Sequence, residues 1–250
     1  MEKICCIVIT YNEERNIGEC LRSVKWADDV VVVDAFSTDR TAEIAEGHNA
    51  TVFREEWQGY GAQRNFGLSK SRCEWVFFID ADERVPDVLA SEIKERLDAD
   101  KGLYDGYYIP RRSFYLGRWI RYGEWQPDLK LRLVRKGAGE WSSHRVHEEF
   151  VLGGEAGLLG NFMEHYTYRD IRHHMEKFNL YSTLSAHDML ERREKVRCYH
   201  MLTRPCARFL KGYIFKQGFK DGFAGLVIAV MQSFEVFLRY SKLREIGRLH

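Results

Sequence analysis

Asp80-Ala81-Asp82 places two carboxylates two residues apart, directly after the apolar run Trp75–Ile79 (WVFFI). Carboxylates so spaced can both reach one cation or its water shell. Hard divalent cations take oxygen ligands, and Mg²⁺ in particular is held by one or two carboxylates plus substrate phosphates. Taken alone, the pair is as readily a polar turn at a strand end. Two further polar clusters change that weighting, because each also follows an apolar run: Thr10-Tyr11-Asn12-Glu13 after the first, and Asp34 after the second. His144, His147 and Glu148 raise the question of zinc. Their spacing is not H-E-x-x-H and no cysteine lies near, which argues against it.

The elements that must carry these groups follow from pattern. Ile4–Thr10 (ICCIVIT), Val30–Val33 and Trp75–Ile79 are short, continuously apolar runs, as expected of strands buried on both faces. Thr51–Arg54 supplies one more strand. Helical spacing fills the intervals: Asn12–Val24 with Ile17, Cys20, Leu21 and Val24 on one face, a helix opened by Thr38–Thr41 and ended near Gly47, Tyr60–Ser69, and Asp87–Leu97 after Pro86. This alternation predicts an α/β fold, a mostly parallel, doubly wound sheet with helices on both faces. Such sheets bind ligands at the carboxyl ends of their strands, where the three polar clusters fall.

After Ala99 the pattern changes. Gly106–Arg112 and Leu129–Arg135 read as strands, and Gly137-Ala138-Gly139 as a turn. Phe114–Asp128 between them holds Arg118, Trp119, Arg121, Tyr122, Trp125 and Asp128. Aromatic faces suit sugar rings and arginines suit phosphates or acids. A packed aromatic flap that touches no ligand is the competing account. From Arg169 onward the chain reads as helical and basic, with a break near Pro205.

The 250 residues carry a formal net charge of +1, with 45% hydrophobic and 30% charged residues, which fits a folded domain and argues against a dedicated nucleic-acid binder. None of the six cysteines forms a C-x-x-C pair, so buried free thiols in a reducing compartment are expected. The N-terminus lacks the pattern of a cleaved leader, and no run of about 20 apolar residues occurs. A cytoplasmic chain without a spanning helix is the expectation.

Three segments carry a resemblance. They are Val8-Ile9-Thr10-Tyr11-Asn12-Glu13-Glu14-Arg15-Asn16-Ile17, Val31–Thr41 (VVVDAFSTDRT) and Phe78-Ile79-Asp80-Ala81-Asp82-Glu83. Over roughly the first hundred residues the chain resembles the family 2 glycosyltransferases of the GT-A fold, and more loosely to about His165. Trp119–Asp128, Val146-His147-Glu148 and Gly218–Gly225 are similar to the branch containing the lipopolysaccharide core glucosyltransferases.

The resemblance implies a division into a GT-A catalytic domain over 1–168 and a helical region over 169–250. Within the first, 1–100 would bind the nucleotide-sugar and 101–168 would shape the acceptor side. Thr10, Tyr11, Glu13 and Asp34 match positions that contact the nucleotide. An acid can accept from a ring N–H of the base, and a tyrosine can pack on it; a packing aromatic and a helix N-terminal acid are the plain alternatives for Tyr11 and Glu13. Arg64 would approach the diphosphate, if it is not simply a solvated helix-face arginine. Asp80 and Asp82 would hold Mg²⁺ or Mn²⁺, Asp82 more directly, with His165 completing the site unless it is an ordinary half-buried histidine. Glu148, or failing it Glu149, would take the proton from the acceptor hydroxyl in a single, inverting displacement. Arg118, Trp119 and Trp125 would meet the acceptor, a cell-envelope glycan or lipid-linked oligosaccharide.

The stretch Ala207–Arg239 mixes apolar and basic residues. Contact with a membrane surface is one account; a helical subdomain or homodimer interface is the other. Two rival functions fit the residues less well. A sugar-1-phosphate nucleotidyltransferase would carry a glycine-rich loop after its first strand, and no glycine precedes Gly18 here. A non-catalytic, membrane-associated nucleotide-sugar or glycan adaptor would not need Asp80, Asp82 and Glu148 intact.

Overall fold

Alternation along a single buried strand explains how the sheet acquires two covered faces. In β1 (Ile4–Thr10) every residue is buried. Cys6 and Val8 pack with Ile17, Cys20 and Leu21 of α1 (Ile17–Ser23), Ala45 of α2 (Thr41–Gly47), and Leu89 and Ile93 of α4 (Asp87–Ala99). Cys5, Ile7 and Ile9 point to the opposite face and a second cluster, with Phe66 of α3 (Tyr60–Lys70), Trp141 and Phe150. A strand with two apolar faces needs helices on both, which is what the sequence led one to expect.

The computed structural model describes residues 2–100, 102–142, 149–192, 194, 197 and 199–247. Glu148, His144 and His147 lie outside the described residues. The remaining strands are β2 (Asp29–Asp34), β3 (Thr51–Arg54), β4 (Trp75–Asp80), β5 (Glu83–Arg84), β6 (Gly106–Tyr115), β7 (Arg118–Trp119), β8 (Leu129–Arg135), β9 (Gly139–Trp141), β10 (Phe150–Leu152), β11 (Ala156–Leu158) and β12 (Met163–His165). The main sheet runs β3-β2-β1-β4-β8-β6-β12-β5. β1 pairs in parallel with β2 and β4, and β2 with β3; β8 is antiparallel to β4 and β6.

The chain divides into two compact units: Met1–Arg111 with Asp128–His165, and Arg112–Pro127 with Tyr166–His250. The second is built on α5 (Ile171–Glu191), α6 (His200–Phe209) and α7 (Gly222–Ile246), with a π-helical stretch Leu210–Phe215 and a 3₁₀ turn Gly218–Asp221 before α7. Ala186, Met189, Val236, Tyr240 and Leu243 form one of its cores, and Tyr115, Ile120, Ala224 and Ile228 another.

Four local expectations change. The first helix starts at Ile17, not Asn12, because Asn12 takes a left-handed φ of 54° and the residues after it spend their N–H groups on the next loop. Pro205 sits buried inside α6 rather than breaking it, and the departure from α geometry comes at Leu210–Phe215. Gly218–Ile246 is long and apolar enough to cross a membrane by length and composition, although no uninterrupted apolar run marks it, because Gln232, Ser233 and Glu235 are diluted over many turns. Cys5, Cys6, Cys20 and Cys73 are buried free thiols, but Cys206 is exposed. Burial pushes the Cys5 thiol up to about 12, which makes it inert.

Candidate active site

The parallel pairing levels the carboxyl ends of three strands. Thr10 lies opposite Asp34, and Ile9 opposite Asp80, so Thr10, Asp34 and Asp80 end within one residue of each other. Loops leaving such an edge must turn sharply, and Asn12 and Phe36 take positive φ to do so. The loops are stitched together. The Asn12 N–H donates to Ser37 Oγ (2.8 Å), and Ser37 in turn donates to both oxygens of Asp34, from Oγ at 2.5 Å and from N–H at 3.0 Å. The Glu13 N–H donates to Thr41 Oγ1, and Asn16 Nδ2 to Glu13 Oε2. Asp34 is fully buried, Tyr11 and Phe36 are exposed, and Thr10 Oγ1 is buried with no hydrogen-bond partner.

A chain of buried and half-buried charges lies beside this edge. Gly67 sets it up: a Cβ there would stand 2.5 Å from Ile7 Cγ2, so only glycine lets α3 lie this close to β1. Arg64, one turn earlier on the same helix face, then reaches Asp80 Oδ1 at 2.7 Å, with its guanidinium 4.5 Å from the Trp141 ring. Arg132 of β8 takes the other oxygen, Oδ2, at 2.6 Å, and also Glu83 Oε1 at 2.9 Å. Arg111 of β6 joins Glu83 Oε1 (2.8 Å) to Asp128 Oδ2 (2.7 Å). Glu83 closes the strand-end turn by accepting from the Asp80 N–H at 2.9 Å. Burial pushes the Asp80 carboxyl up, but Arg132 and Arg64 outweigh it and hold it well below the ordinary range.

Asp82 stands apart from that network. β12 pairs antiparallel with β5, with His165 opposite Glu83, and this register brings His165 Nε2 to 3.5 Å from Asp82 Oδ2. Burial raises the Asp82 carboxyl and His165 more than offsets it, so the group stays ionised. Among the described residues no three or more His, Cys, Asp or Glu side chains converge as a metal set. The described residues do not supply the four protein ligands of structural zinc. The donor set of one carboxylate and one imidazole fits Mg²⁺ or Mn²⁺ completed by phosphate oxygens and water.

The hairpin β9–β10 frames the same edge. Asn65 of α3 exchanges two 2.9 Å hydrogen bonds with the Trp141 backbone, and Ser142 and Glu149 bond each other across the hairpin. Glu149 is exposed. Of the remaining expected residues, Arg118, Trp119 and Trp125 fall in the second unit. Arg118 donates to Asp221 Oδ1 at 3.3 Å; the Trp119 ring packs on Phe114 and under Arg112; Trp125 belongs to a cluster with Tyr115, Tyr168 and His174. A recess of about 660 Å³ along α4 is lined by none of the expected site residues.

Sequence reasoning missed Arg132, Arg111 and Glu83. LKLRLVR alternates apolar and basic residues, as a half-solvated strand does. Only the position of β8 between β4 and β6 buries Arg132, and the one available signal was an excess of acids in the Asp80–Glu83 turn that needed cations.

Residues 5–148 match the family described as "Glycosyl transferase family 2". The chain belongs to glycosyl transferase family 2. It is similar to the lipopolysaccharide core biosynthesis glycosyltransferase LpsC of Rhizobium meliloti (strain 1021), with 30% identity over 96% of this chain and 91% of that protein. An uncharacterized glycosyltransferase of Rickettsia typhi is 32% identical over 99% of this chain and 88% of its own length. Among solved structures, the mannosyltransferase PcManGT of Pyrobaculum calidifontis, in complex with GDP-Man and Mn²⁺, superposes with a TM-score of 0.56 at 16% identity, covering 99% of this chain and 87% of that one. S. aureus TarS 1-349 in complex with UDP gives 0.52 at 17% identity, covering 99% and 92%. At that identity the likeness shows the fold, which is GT-A. The glycosyltransferase thus has the α/β architecture its sequence implied, with a C-terminal helical extension.

Proposed function

We propose that this glycosyltransferase is an inverting hexosyltransferase that moves a sugar from a UDP-hexose to a cell-envelope glycan such as lipopolysaccharide core. The observation that carries the donor half of this reading is the Asp82–His165 pair. The register of β12 on β5 brings its two side chains to 3.5 Å just past the carboxyl end of β4, while both oxygens of Asp80 are already held by Arg64 and Arg132. Asp82 and His165 would hold Mg²⁺ or Mn²⁺; the bound cation supplies Lewis-acid stabilisation of the departing diphosphate.

The chain's own residues divide the remaining work. Thr10, Tyr11, Glu13 and Asp34 would receive the nucleotide, with the orphaned Thr10 hydroxyl and the exposed Tyr11 ring supporting that role. Asp80 and Arg64, locked together, would set a fixed polar wall for the diphosphate and ribose. Glu148 would take the proton of the acceptor hydroxyl as it attacks the anomeric carbon, with Glu149 the substitute. Arg118 and Trp119 would meet the acceptor, and Trp125 would brace them. The functional division into 1–100, 101–168 and 169–250 belongs to this proposal, as does residence on the inner face of the cytoplasmic membrane. Similarity to LpsC along nearly the whole chain supports the acceptor class.

The test is calorimetric titration with UDP-glucose, UDP-galactose, UDP-N-acetylglucosamine and GDP-mannose, each with and without Mn²⁺. One donor should bind only with Mn²⁺, and Asp82→Ala should lose that binding. Donor binding indifferent to both chelation and Asp82→Ala would overturn the metal assignment.

A further inference from the structure

We infer that the second unit carries a docking surface for an anionic lipid bilayer, made of one face of α7 and the basic segment before it. It deepens the membrane reading just proposed and rests on that reading for the location of the acceptor.

α7 is apolar on two sides. Ala224, Gly225, Ile228 and Ala229 are buried, and this side packs with Tyr115 and Ile120 of its own unit. Phe223, Leu226, Val230 and Phe234 are exposed instead. Their spacing of three, four and four residues lines them up as one stripe. No charged residue occurs from Gly222 through Phe234. A contiguous exposed apolar face of this kind marks a contact surface.

The neighbouring segment says what the contact is. Residues 204–220 hold Arg204, Arg208, Lys211, Lys216 and Lys220 and no acid. Three of these cations, Arg208, Lys211 and Lys216, converge on the single carboxylate of Glu124 at 3.1, 3.7 and 3.6 Å, which leaves a cationic surplus. Phe215, 78% exposed, and Phe219 stand among them. Bulky apolar side chains interleaved with cations are what an interfacial helix offers to headgroups and acyl chains.

Two other occupants fit less well. A second copy of this chain would use the same patch on both sides of a two-fold contact, setting the cations against each other. A spanning helix would need a bare apolar length of about 30 Å. The exposed stripe covers eleven residues of rise, about 17 Å. Farther along α7, Lys242 Nζ is tied to Asn179 O, Ser182 Oγ and Thr183 Oγ1.

The experiment is co-sedimentation of the full chain with phosphatidylcholine vesicles, with and without phosphatidylglycerol. Wild type should pellet with the anionic vesicles and be released by alkaline carbonate. Phe215→Ser/Phe223→Ser, both exposed, should lower vesicle partitioning about tenfold or more with an unchanged melting curve. Arg204→Gln/Lys220→Gln should remove the preference for phosphatidylglycerol. Equal pelleting of wild type and the phenylalanine variant would overturn the inference. So would carbonate-resistant pelleting, or a wild-type dimer in sedimentation velocity that the same variant dissociates. Donor titration separates the two readings: vesicle binding lost with donor binding intact condemns the surface alone, and vesicle binding without any donor binding condemns the donor assignment alone.

Discussion

Replacing Arg132 with methionine removes one buried cation from a partly buried network of Asp80, Glu83, Asp128, Arg64 and Arg111 while keeping most of the side-chain volume. Arg132 is only 4% exposed and touches Asp80 at 2.6 Å and Glu83 at 2.9 Å. Removing one member of a buried ion pair typically costs about 3–5 kcal/mol, because the surviving charge stays desolvated. Here the lower end is expected. Asp80 keeps Arg64, Glu83 keeps Arg111, and Asp128 has Lys130 at 3.1 Å near the surface. A loss of about 3 kcal/mol should lower the urea midpoint by roughly 1 M for a chain of this size, with little change in slope. Asp80→Asn in the same background removes one of the stranded acids. The double variant should therefore recover stability relative to the sum of the singles, with a coupling of about 1–3 kcal/mol. A loss below about 1 kcal/mol for Arg132→Met, or strict additivity in the cycle, would refute the reasoning that this network holds the strand-end turn in place.

Three further outcomes are expected. Glu148→Gln should abolish transfer and leave Mn²⁺-dependent donor binding within about threefold of wild type; full transfer by Glu148→Gln would pass the role to Glu149→Gln as the next variant. His174 is fully buried, bonded to Tyr115 at 2.7 Å through Nδ1, and burial holds its pKa down at about 4 against an ordinary 6.5. The unfolded chain therefore takes the proton first as pH falls, so the stability it contributes is whole above about pH 6.5 and is lost toward pH 4, by at most about 3 kcal/mol; His174→Phe should flatten that part of the melting profile, and an unaltered profile would exclude His174 as its source. Gly225→Ala would place a Cβ 1.9 Å from the Gly218 carbonyl oxygen, a backbone atom that cannot step aside, and should cost more than about 2 kcal/mol in thermal or urea unfolding. Gly47→Ala, with nothing within 4 Å, should be neutral or mildly stabilising and serves as the control.

Much of the first unit was legible from residue order alone. ICCIVIT, VVVV and WVFFI have nowhere to go in water, so they specify strands covered on both faces, and the polar residues that end them specify the ligand edge. That logic located Thr10, Asp34, Asp80 and Asp82 without coordinates, because period and burial are properties of neighbours in sequence. The pairing partners were not legible. LKLRLVR reads as half-exposed until β8 is inserted between β4 and β6, and only then does Arg132 become the buried clamp on Asp80. His165 reaches Asp82 only through the register of β12 on β5, which no local pattern encodes. In the second unit, sequence showed that α7 is apolar, whereas tertiary packing decided which of its two apolar sides is covered. The division has one cause. Alternation and strand ends depend on residues a few positions apart, while charge partners and uncovered faces depend on which distant elements the fold brings together.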